Sequence, residues 1–183
     1  LMDLVLHSYR PEDIDLVEQW LRGLLRKPRH AAQQTQRWWR DRVLHFLLAF
    51  YEATGRHEAF LDLCWEEEED ARAALKFVEL GQVEEARRLA RQGLGNAAAH
   101  QALAERLWDR GDTALALEVA EVGLRYQDAW RAPLQSWLAG RWLALGEPAP
   151  ALRSARAAWE QAPSLEYYRL LRSAASLAGK TTS

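Results

Sequence analysis

The sequence contains little cysteine, few β-branched residues and no long apolar run. Its 183 residues include one cysteine, Cys64, which excludes an intramolecular disulfide and a zinc ribbon built from this chain alone. A single cysteine suits a reducing compartment, so we expect a cytoplasmic protein. No apolar run approaches the roughly 20 residues that span a bilayer, and the first ten residues lack a signal-peptide pattern. We therefore expect no membrane partner.

Neither sign of charge dominates the chain. Twenty-six acidic residues against 24 basic ones leave a net charge of −2, so the total gives no basic signature for nucleic acid. Apolar residues make up 49% of the chain, which is enough for one domain with its own core. We expect a single helical-repeat domain over residues 1–183. Because the chain begins at Leu1 rather than methionine, a fragment of a longer protein is also an expectation.

The scarcity of β-branched residues predicts the fold class. Isoleucine occurs once, at Ile14, while Ala, Leu, Glu and Arg dominate, and this composition favours helix over strand. Apolar residues recur at intervals of three and four rather than in alternation. The sequence therefore predicts an all-α protein. The predicted helices span 11–27, 31–53, 57–67, 69–80, 83–93, 97–110, 113–126, 131–145, 148–161 and 165–178.

A repeat becomes visible when the chain is aligned on four glycines, Gly55, Gly81, Gly111 and Gly146. The segments TGRHEAFLDLC, LGQVEEARRLA, RGDTALALEVA and LGEPAPALRSA then share one register. Residues four and seven before each glycine, and five and nine after it, form columns that define one face of each helix. The columns are Tyr51, Phe77, Leu107 and Trp142; Leu48, Ala74, Ala104 and Ala139; Phe60, Ala86, Ala116 and Ala151; Cys64, Ala90, Ala120 and Ala155. This pattern predicts a first helix with large residues packed over the small residues of a second, joined at a glycine C-cap.

The spacing of the corners predicts the kind of repeat. The intervals are 26, 30, 35 and 33 residues when Gly179 is taken as the last corner, close to the 34-residue period of tetratricopeptide repeats (TPRs). The last full unit, WLAGRWLALGEPAPALRSARAAWEQAP, resembles the TPR pattern at Leu138, Ala139, Trp142, Gly146, Ala151 and Pro163. We predict a right-handed α-solenoid of degenerate TPR-like helix pairs. It would comprise an N-terminal helix pair over 11–53 and repeats over 57–178.

The order of four segments resembles a known family. Four segments follow one another as in the C-terminal helical region of bacterial SWIM zinc finger proteins, over roughly residues 45–175. They are GRHEAFLDLC, AALKFVELGQVEEARRLA, LALEVAEVGL and WEQAPSLEYYRLL. In that family a CxCx(n)CxH motif, thought to contact nucleic acid or protein, precedes the helical region. This chain lacks the motif, so no residue here takes a metal role. The resemblance implies an accessory helical module of such a protein.

Three features suggest chemistry, but each has a simpler structural interpretation. AASLAGKT, residues 174–181, fits a loose phosphate-loop pattern, yet a helix rather than a strand precedes it. Cys64 occupies a column of small packing residues, which favours burial over nucleophilic catalysis. The five histidines show no metal-ligand spacing. We expect no enzyme, cofactor or metal, although a pair such as Glu79 with His100 in one closed pocket would favour an enzyme.

Residues ten, six and three before each corner glycine tend to face the concave groove of TPR-like stacks. We predict a peptide-binding surface there, with Trp108 as its anchor, because Leu103, Ala104 and Leu107 already fill the packing positions. An alternative stays open, in which Trp108 packs on the first helix of the next pair. The groove candidates are Trp108, Gln101, Glu105, His45 and Ser136, accompanied by Ala49, Glu52, Ala71, Leu75, Val78, Gly140 and Leu143.

Charge is locally asymmetric in the N-terminal third. Residues 22–42 hold seven basic residues and one acid, whereas 58–70 hold seven acids and no base. QRWWRDR interleaves tryptophans with arginines, a mixture that can stack on bases and hold phosphates. The nucleic-acid candidates are Arg37, Trp38, Trp39, Arg40 and Arg42. In the other interpretation the two stretches pair with each other, within the chain or between copies in a weak self-association.

The sequence thus predicts a non-enzymatic helical-repeat module that binds a peptide or protein segment in its concave groove. Nucleic-acid association through the basic N-terminal helices is the alternative. A small enzyme is a third hypothesis, but no residue pattern in the sequence supports it.

Overall fold

The computed structural model describes residues 13–26 and 34–181, without the side chains of 34–37 and 180–181. Within these ranges every regular element is a helix, and the prediction of an all-α protein is confirmed there. The helices are α1 Ile14–Leu25, α2 Gln34–Ala53, α3 His57–Glu66, α4 Asp70–Glu79, α5 Val83–Gln92, α6 Ala97–Asp109, α7 Thr113–Gly123, α8 Arg131–Ala144, α9 Pro148–Gln161 and α10 Leu165–Thr181.

The helix bounds differ from the prediction by three residues at the end of α10, which continues to Thr181 rather than 178, and at the end of α7. The predicted end of α7 was residue 126, whereas the helix ends at Gly123. The N–H groups of Leu124, Arg125 and Tyr126 donate to carbonyls three residues earlier, each at 3.2 Å, so the chain tightens into turns instead of continuing the α-helix. The predicted starts at residues 11 and 31 lie outside the described residues.

The chain divides into two compact units, residues 1–68 and 69–183. In the first unit α2 packs on both α1 and α3. Its core is made of large apolar side chains, among them Leu21, Leu47, Phe50, Phe60 and Leu63. The helix over 57–66, which we had grouped with the repeats, thus belongs to the first unit. The prediction of a single domain over 1–183 stays a prediction.

A buried polar network joins α1 to α2 in the first unit. The Tyr51 hydroxyl, fully buried, donates to Glu18 Oε1 at 2.7 Å and accepts from Arg22 Nε at 2.9 Å. Arg56, just after α2, also pairs with Glu18. Burial and the hydrogen bond to Glu18 raise the pKa of Tyr51 to about 12. Burial alone would raise the pKa of Glu18, but its hydrogen bonds and the two arginine charges together lower it.

Part of the acidic stretch pairs with the basic stretch inside the same unit. Arg22 binds Glu66 with N–O distances of 3.1 and 3.3 Å, and Arg40 pairs with Glu67. The interpretation in which the two stretches pair within the chain is therefore confirmed for these two carboxylates. Pairing between copies stays a prediction.

The second unit is a series of helix pairs. Contacts form within the pairs α4/α5, α6/α7 and α8/α9, and α9 also packs on α10. Contacts between pairs join first helix to first helix, α4 to α6, α6 to α8 and α8 to α10, and second helix α5 to α7. The first helices α4, α6 and α8 therefore each pack on the next helix and on the one after it.

The predicted packing columns are buried almost throughout. Of the sixteen column residues, fifteen are buried and Trp142 is half-buried. Around α8, α9 and α10 the alanines Ala139, Ala151, Ala155 and Ala174 form one cluster, and Trp142 packs against it. Small residues let these helices approach closely, and larger, partly buried apolar side chains pack against the cluster.

The four corner glycines have the predicted left-handed backbone, with φ between 66° and 90°. At Gly81 the following residue, Gln82, donates its N–H to Phe77 O at 2.8 Å, which is the Schellman cap of a helix C-terminus. The same bond recurs at the other three corners, from Arg56 to Tyr51, Asp112 to Leu107 and Glu147 to Trp142. Gly179 is different, because it lies inside α10. Its prediction as a fifth corner was wrong: the backbone stays helical, at the modest cost that glycine carries there.

Two other expectations concern single segments. Residues 174–181 lie within α10, with Ala174 buried in the alanine cluster, so they form no phosphate-binding loop. Cys64 is fully buried in its packing column. No helix in the described part of the chain combines the length and apolar character needed to cross a bilayer.

Candidate functional site

Two tryptophans and an arginine meet between α6 and α8. The rings of Trp108 on α6 and Trp137 on α8 pack edge to face, with centroids 6.0 Å apart. The Arg141 guanidinium lies 4.9 Å from the Trp108 ring centroid and 5.1 Å from that of Trp137. Both tryptophans are half-buried. Such contacts are each worth about 0.5–2 kcal/mol, so the cluster holds the two helices together and still exposes aromatic surface.

Trp108 therefore packs on the first helix of the next pair, as one of the two open interpretations predicted. It is not buried by that packing. The contact with Trp137 and Arg141 and a ligand-binding role are thus compatible.

Polar side chains lie on the same side of α6 as Trp108. Gln101 donates through Nε2 to Glu105 Oε1 at 2.9 Å, one helical turn away. The side-chain amide oxygen of Gln101 (Oε1) and the indole nitrogen of Trp137 are buried and have no hydrogen-bond partner among the described residues. Buried polar groups without partners are costly, so this part of the surface retains hydrogen-bonding capacity that the fold leaves unused.

The loops before α6 and α8 fix the positions of these helices. Asn96 caps α6 by accepting from the N–H of Ala99 at 2.8 Å. Asp128 accepts from the N–H of Ala97 through one carboxylate oxygen and from the N–H of Trp130 through the other, both at 2.9 Å. One carboxylate thus joins the N-terminal ends of α6 and α8, the two helices that carry the tryptophan cluster.

The other groove candidates on α6 and α8 are half-buried: Glu105, Gln101, Ser136, Gly140 and Leu143. We call the side of α6 and α8 that carries them and Trp108 the candidate face. Val78 does not belong to it, because its side chain is fully buried, and this part of the prediction was wrong. Its carbonyl instead accepts from Arg110 at 2.6 Å.

His45 belongs to the first unit, whereas the residues of the candidate face belong to the second. Its side chain is exposed, and Nδ1 lies 2.6 Å from the carbonyl oxygen of Asp41. The structure therefore describes it as a surface residue of α2.

Sequence reasoning missed Trp137 and Arg141. They stand nine and five residues before Gly146, outside the positions expected to line a groove. Their spacing of four residues gave a signal, since an aromatic and an arginine one turn apart on a helix can be reached by a third side chain from a neighbour.

A groove with a volume of about 650 Å³ lies between α8 and α10. Leu143 and Leu177 supply its apolar walls, and four polar side chains supply the rest: Arg169, Arg172, Ser173 and Ser176. Leu143 is a member of the candidate face, so the groove extends that face toward α10. The groove positions were derived for four glycines only, but Arg169, Ser173 and Ser176 stand ten, six and three residues before Gly179, so the same spacing was a signal for them.

The nucleic-acid candidates lie on α2. Trp38 and Trp39 are each 55% exposed, with ring centroids 6.5 Å apart, and the Arg42 guanidinium lies 4.7 Å from the Trp38 ring centroid. Arg40 is occupied by Glu67 and by the carbonyl of Leu25. The Arg37 side chain lies outside the described residues.

The two residues that could have indicated an enzyme have separate surroundings. The Glu79 carboxylate contacts Lys76 and Arg106. His100 is fully buried, with its ring nitrogens 2.9 and 3.2 Å from two backbone carbonyl oxygens. Within residues 13–26 and 34–181, no three His, Cys, Asp or Glu side chains are arranged to hold a metal ion.

Comparison of the sequence with protein-family models finds no match, and comparison with curated proteins finds none either. The function is therefore argued from the geometry of the candidate face.

Proposed function

We propose that this chain is a non-enzymatic interaction module that binds a peptide or protein segment on its candidate face. Its architecture would be a right-handed solenoid of degenerate TPR-like helix pairs, an accessory region of a cytoplasmic SWIM zinc finger protein. The packing of α4, α6 and α8 each on the next two helices supports a solenoid, because stacked pairs bury their apolar faces only against neighbours and create an extended surface.

The observation that carries the proposal is the half-buried tryptophan cluster. Trp108 and Trp137 are held in one geometry by Arg141 and by each other. Rigid aromatic side chains in a partly desolvated setting are the typical anchors of protein interfaces. The unpartnered polar atoms of Gln101 and Trp137 add hydrogen-bonding capacity beside them.

Selection of binders from a random-peptide phage library tests the proposal, followed by fluorescence anisotropy of the selected peptides. We expect Trp108→Ala to weaken their binding roughly thirtyfold or more, as loss of a hot-spot residue does. Trp130→Ala is the matched control, because Trp130 is 54% exposed and flanks α8 outside the cluster.

Trp108→Phe keeps an aromatic ring against Trp137 and separates loss of binding from loss of folding. Thermal melts of all three variants establish that each one is folded. The proposal is wrong if no peptide is selected, or if folded Trp108→Ala binds the selected peptides as tightly as the unchanged chain does.

Nucleic-acid association is the second candidate function, because the exposed Trp38 and Trp39 rings lie beside Arg42. Single-stranded nucleic acid stacks on such aromatics and binds less tightly as salt increases. Anisotropy of a labelled single-stranded oligonucleotide with the Trp38→Ala/Trp39→Ala variant tests this function. Equal binding by the variant and the unchanged chain would exclude it.

A further inference from the structure

The groove between α8 and α10 has an unbalanced positive charge. The sequence of α8 contains Arg131 and Arg141 and no acid, and that of α10 contains Arg169, Arg172 and Lys180 against the single acid Glu166. Arg169 and Arg172 both line the groove. Neither forms an ion pair with a described residue, whereas the arginines of α5, for example, all pair with glutamates.

The remaining lining determines the kind of ligand. Leu143 and Leu177 form apolar walls, and Ser173 and Ser176 add hydroxyl groups. Among the described residues, no aromatic side chain on which a nucleic-acid base could stack lines the groove. The groove is open to solvent rather than enclosed, and its volume of about 650 Å³ would accommodate a few side chains of a peptide.

We propose that this groove binds an acidic segment of a partner protein, with its carboxylates on Arg169 and Arg172 and an apolar side chain between Leu143 and Leu177. The inference rests on the proposed function, because the same segment would continue along α8 to the tryptophan cluster. Arginine pairs with carboxylates through a planar fork of donors, which gives orientation as well as attraction. The tryptophan cluster would supply affinity, and the groove would select acidic sequences.

The peptides selected for the Trp108 experiment serve as probes. We expect them to be enriched in Asp and Glu and to bind more weakly at high salt. The Arg169→Glu/Arg172→Glu variant should bind them roughly tenfold or more weakly, because charge repulsion replaces pairing. Replacing Asp and Glu in a selected peptide by Asn and Gln should weaken binding to the unchanged chain and leave binding to that variant nearly unaltered.

The matched control is Arg125→Glu/Arg153→Glu, which changes net charge equally at two exposed arginines outside the groove. It should bind like the unchanged chain. Thermal melts confirm that both double variants are folded.

The outcomes separate this inference from the proposed function. Peptides that depend on Trp108 but are not acidic, or whose binding ignores Arg169 and Arg172, would overturn the inference and leave the proposed function intact. Failure to select any peptide would overturn both. If a labelled single-stranded oligonucleotide binds with the same dependence on Arg169 and Arg172, the occupant is nucleic acid and the inference is wrong.

Discussion

At the scale of single residues, the absence of a side chain at Gly123 is a packing requirement. A Cβ atom placed there would lie 2.6 Å from His100 Cβ and 2.8 Å from Leu134 Cδ2, and both neighbours are fully buried. We expect Gly123→Ala to lower the free energy of unfolding by about 1–3 kcal/mol, as overpacking of a core does. Urea denaturation followed by circular dichroism measures this change.

Gly140→Ala is its control, because Gly140 lies inside α8 and, apart from its chain neighbours and the local helix backbone, no atom of the described residues lies within 4 Å of the added methyl group. There alanine should leave stability unchanged or raise it by up to about 1 kcal/mol. Equal effects of the two substitutions would show that the close approach at Gly123 is not limiting.

The network around Glu18 predicts a pH dependence of stability. The pKa of Glu18 in the folded chain is lowered from its ordinary 4.5. Its stabilising contribution is therefore present above that value and is lost as the pH falls through the lowered folded pKa. We expect the free energy of unfolding to decline more between pH 5 and 3 for the unchanged chain than for Glu18→Gln. Urea denaturation across this range tests it, and identical pH profiles would contradict it.

At the scale of helices, small side chains set how closely the pairs pack. Ala116 on α7 is fully buried, and leucine there would have to push α6 and α7 apart. We expect Ala116→Leu to lower the free energy of unfolding by about 1–3 kcal/mol or more. Ala114→Leu, at an exposed position of the same helix, should change it little. Chemical denaturation of both variants measures the change in the free energy of unfolding. Equal decreases for the two variants would show that side-chain size at residue 116 does not limit the packing.

The sequence predicted the helices and their contacts well because both depend on local chemistry. Glycines at Gly55, Gly81, Gly111 and Gly146 permit a left-handed turn that other residues resist, and periodic small residues indicate the packing face. The position of Gly179 could not be predicted in this way, since glycine in a helix interior costs only about 1 kcal/mol.

The candidate site was less predictable than the fold. Trp108 was identified because the packing columns had no place for it. Its partners Trp137 and Arg141 depend on how far one pair rotates relative to the next. Repeat spacing carries no information on that rotation, so these residues became visible only in three dimensions.

At the scale of the whole molecule, the division into residues 1–68 and 69–183 predicts that the second unit folds without the first. It has its own buried columns and caps, and compact units with a separate core commonly fold alone. We expect residues 69–183 to show helical circular dichroism and a cooperative thermal transition. A gradual, non-cooperative loss of helicity would contradict this.

The Schellman corners also limit where this sequence can change in length. In each corner the residue after the glycine donates its N–H to the carbonyl oxygen of the residue that stands four positions before the glycine. That acceptor residue is also the large residue of the packing column. An insertion between those two positions would break the cap and rotate the packing face at once. Insertions and deletions should therefore be tolerated better in the segments between pairs, residues 93–96 and 124–130, as long as the hydrogen bonds of Asn96 and Asp128 are kept. There the chain already varies the interval from one glycine to the next, 30 residues after Gly81 and 35 after Gly111.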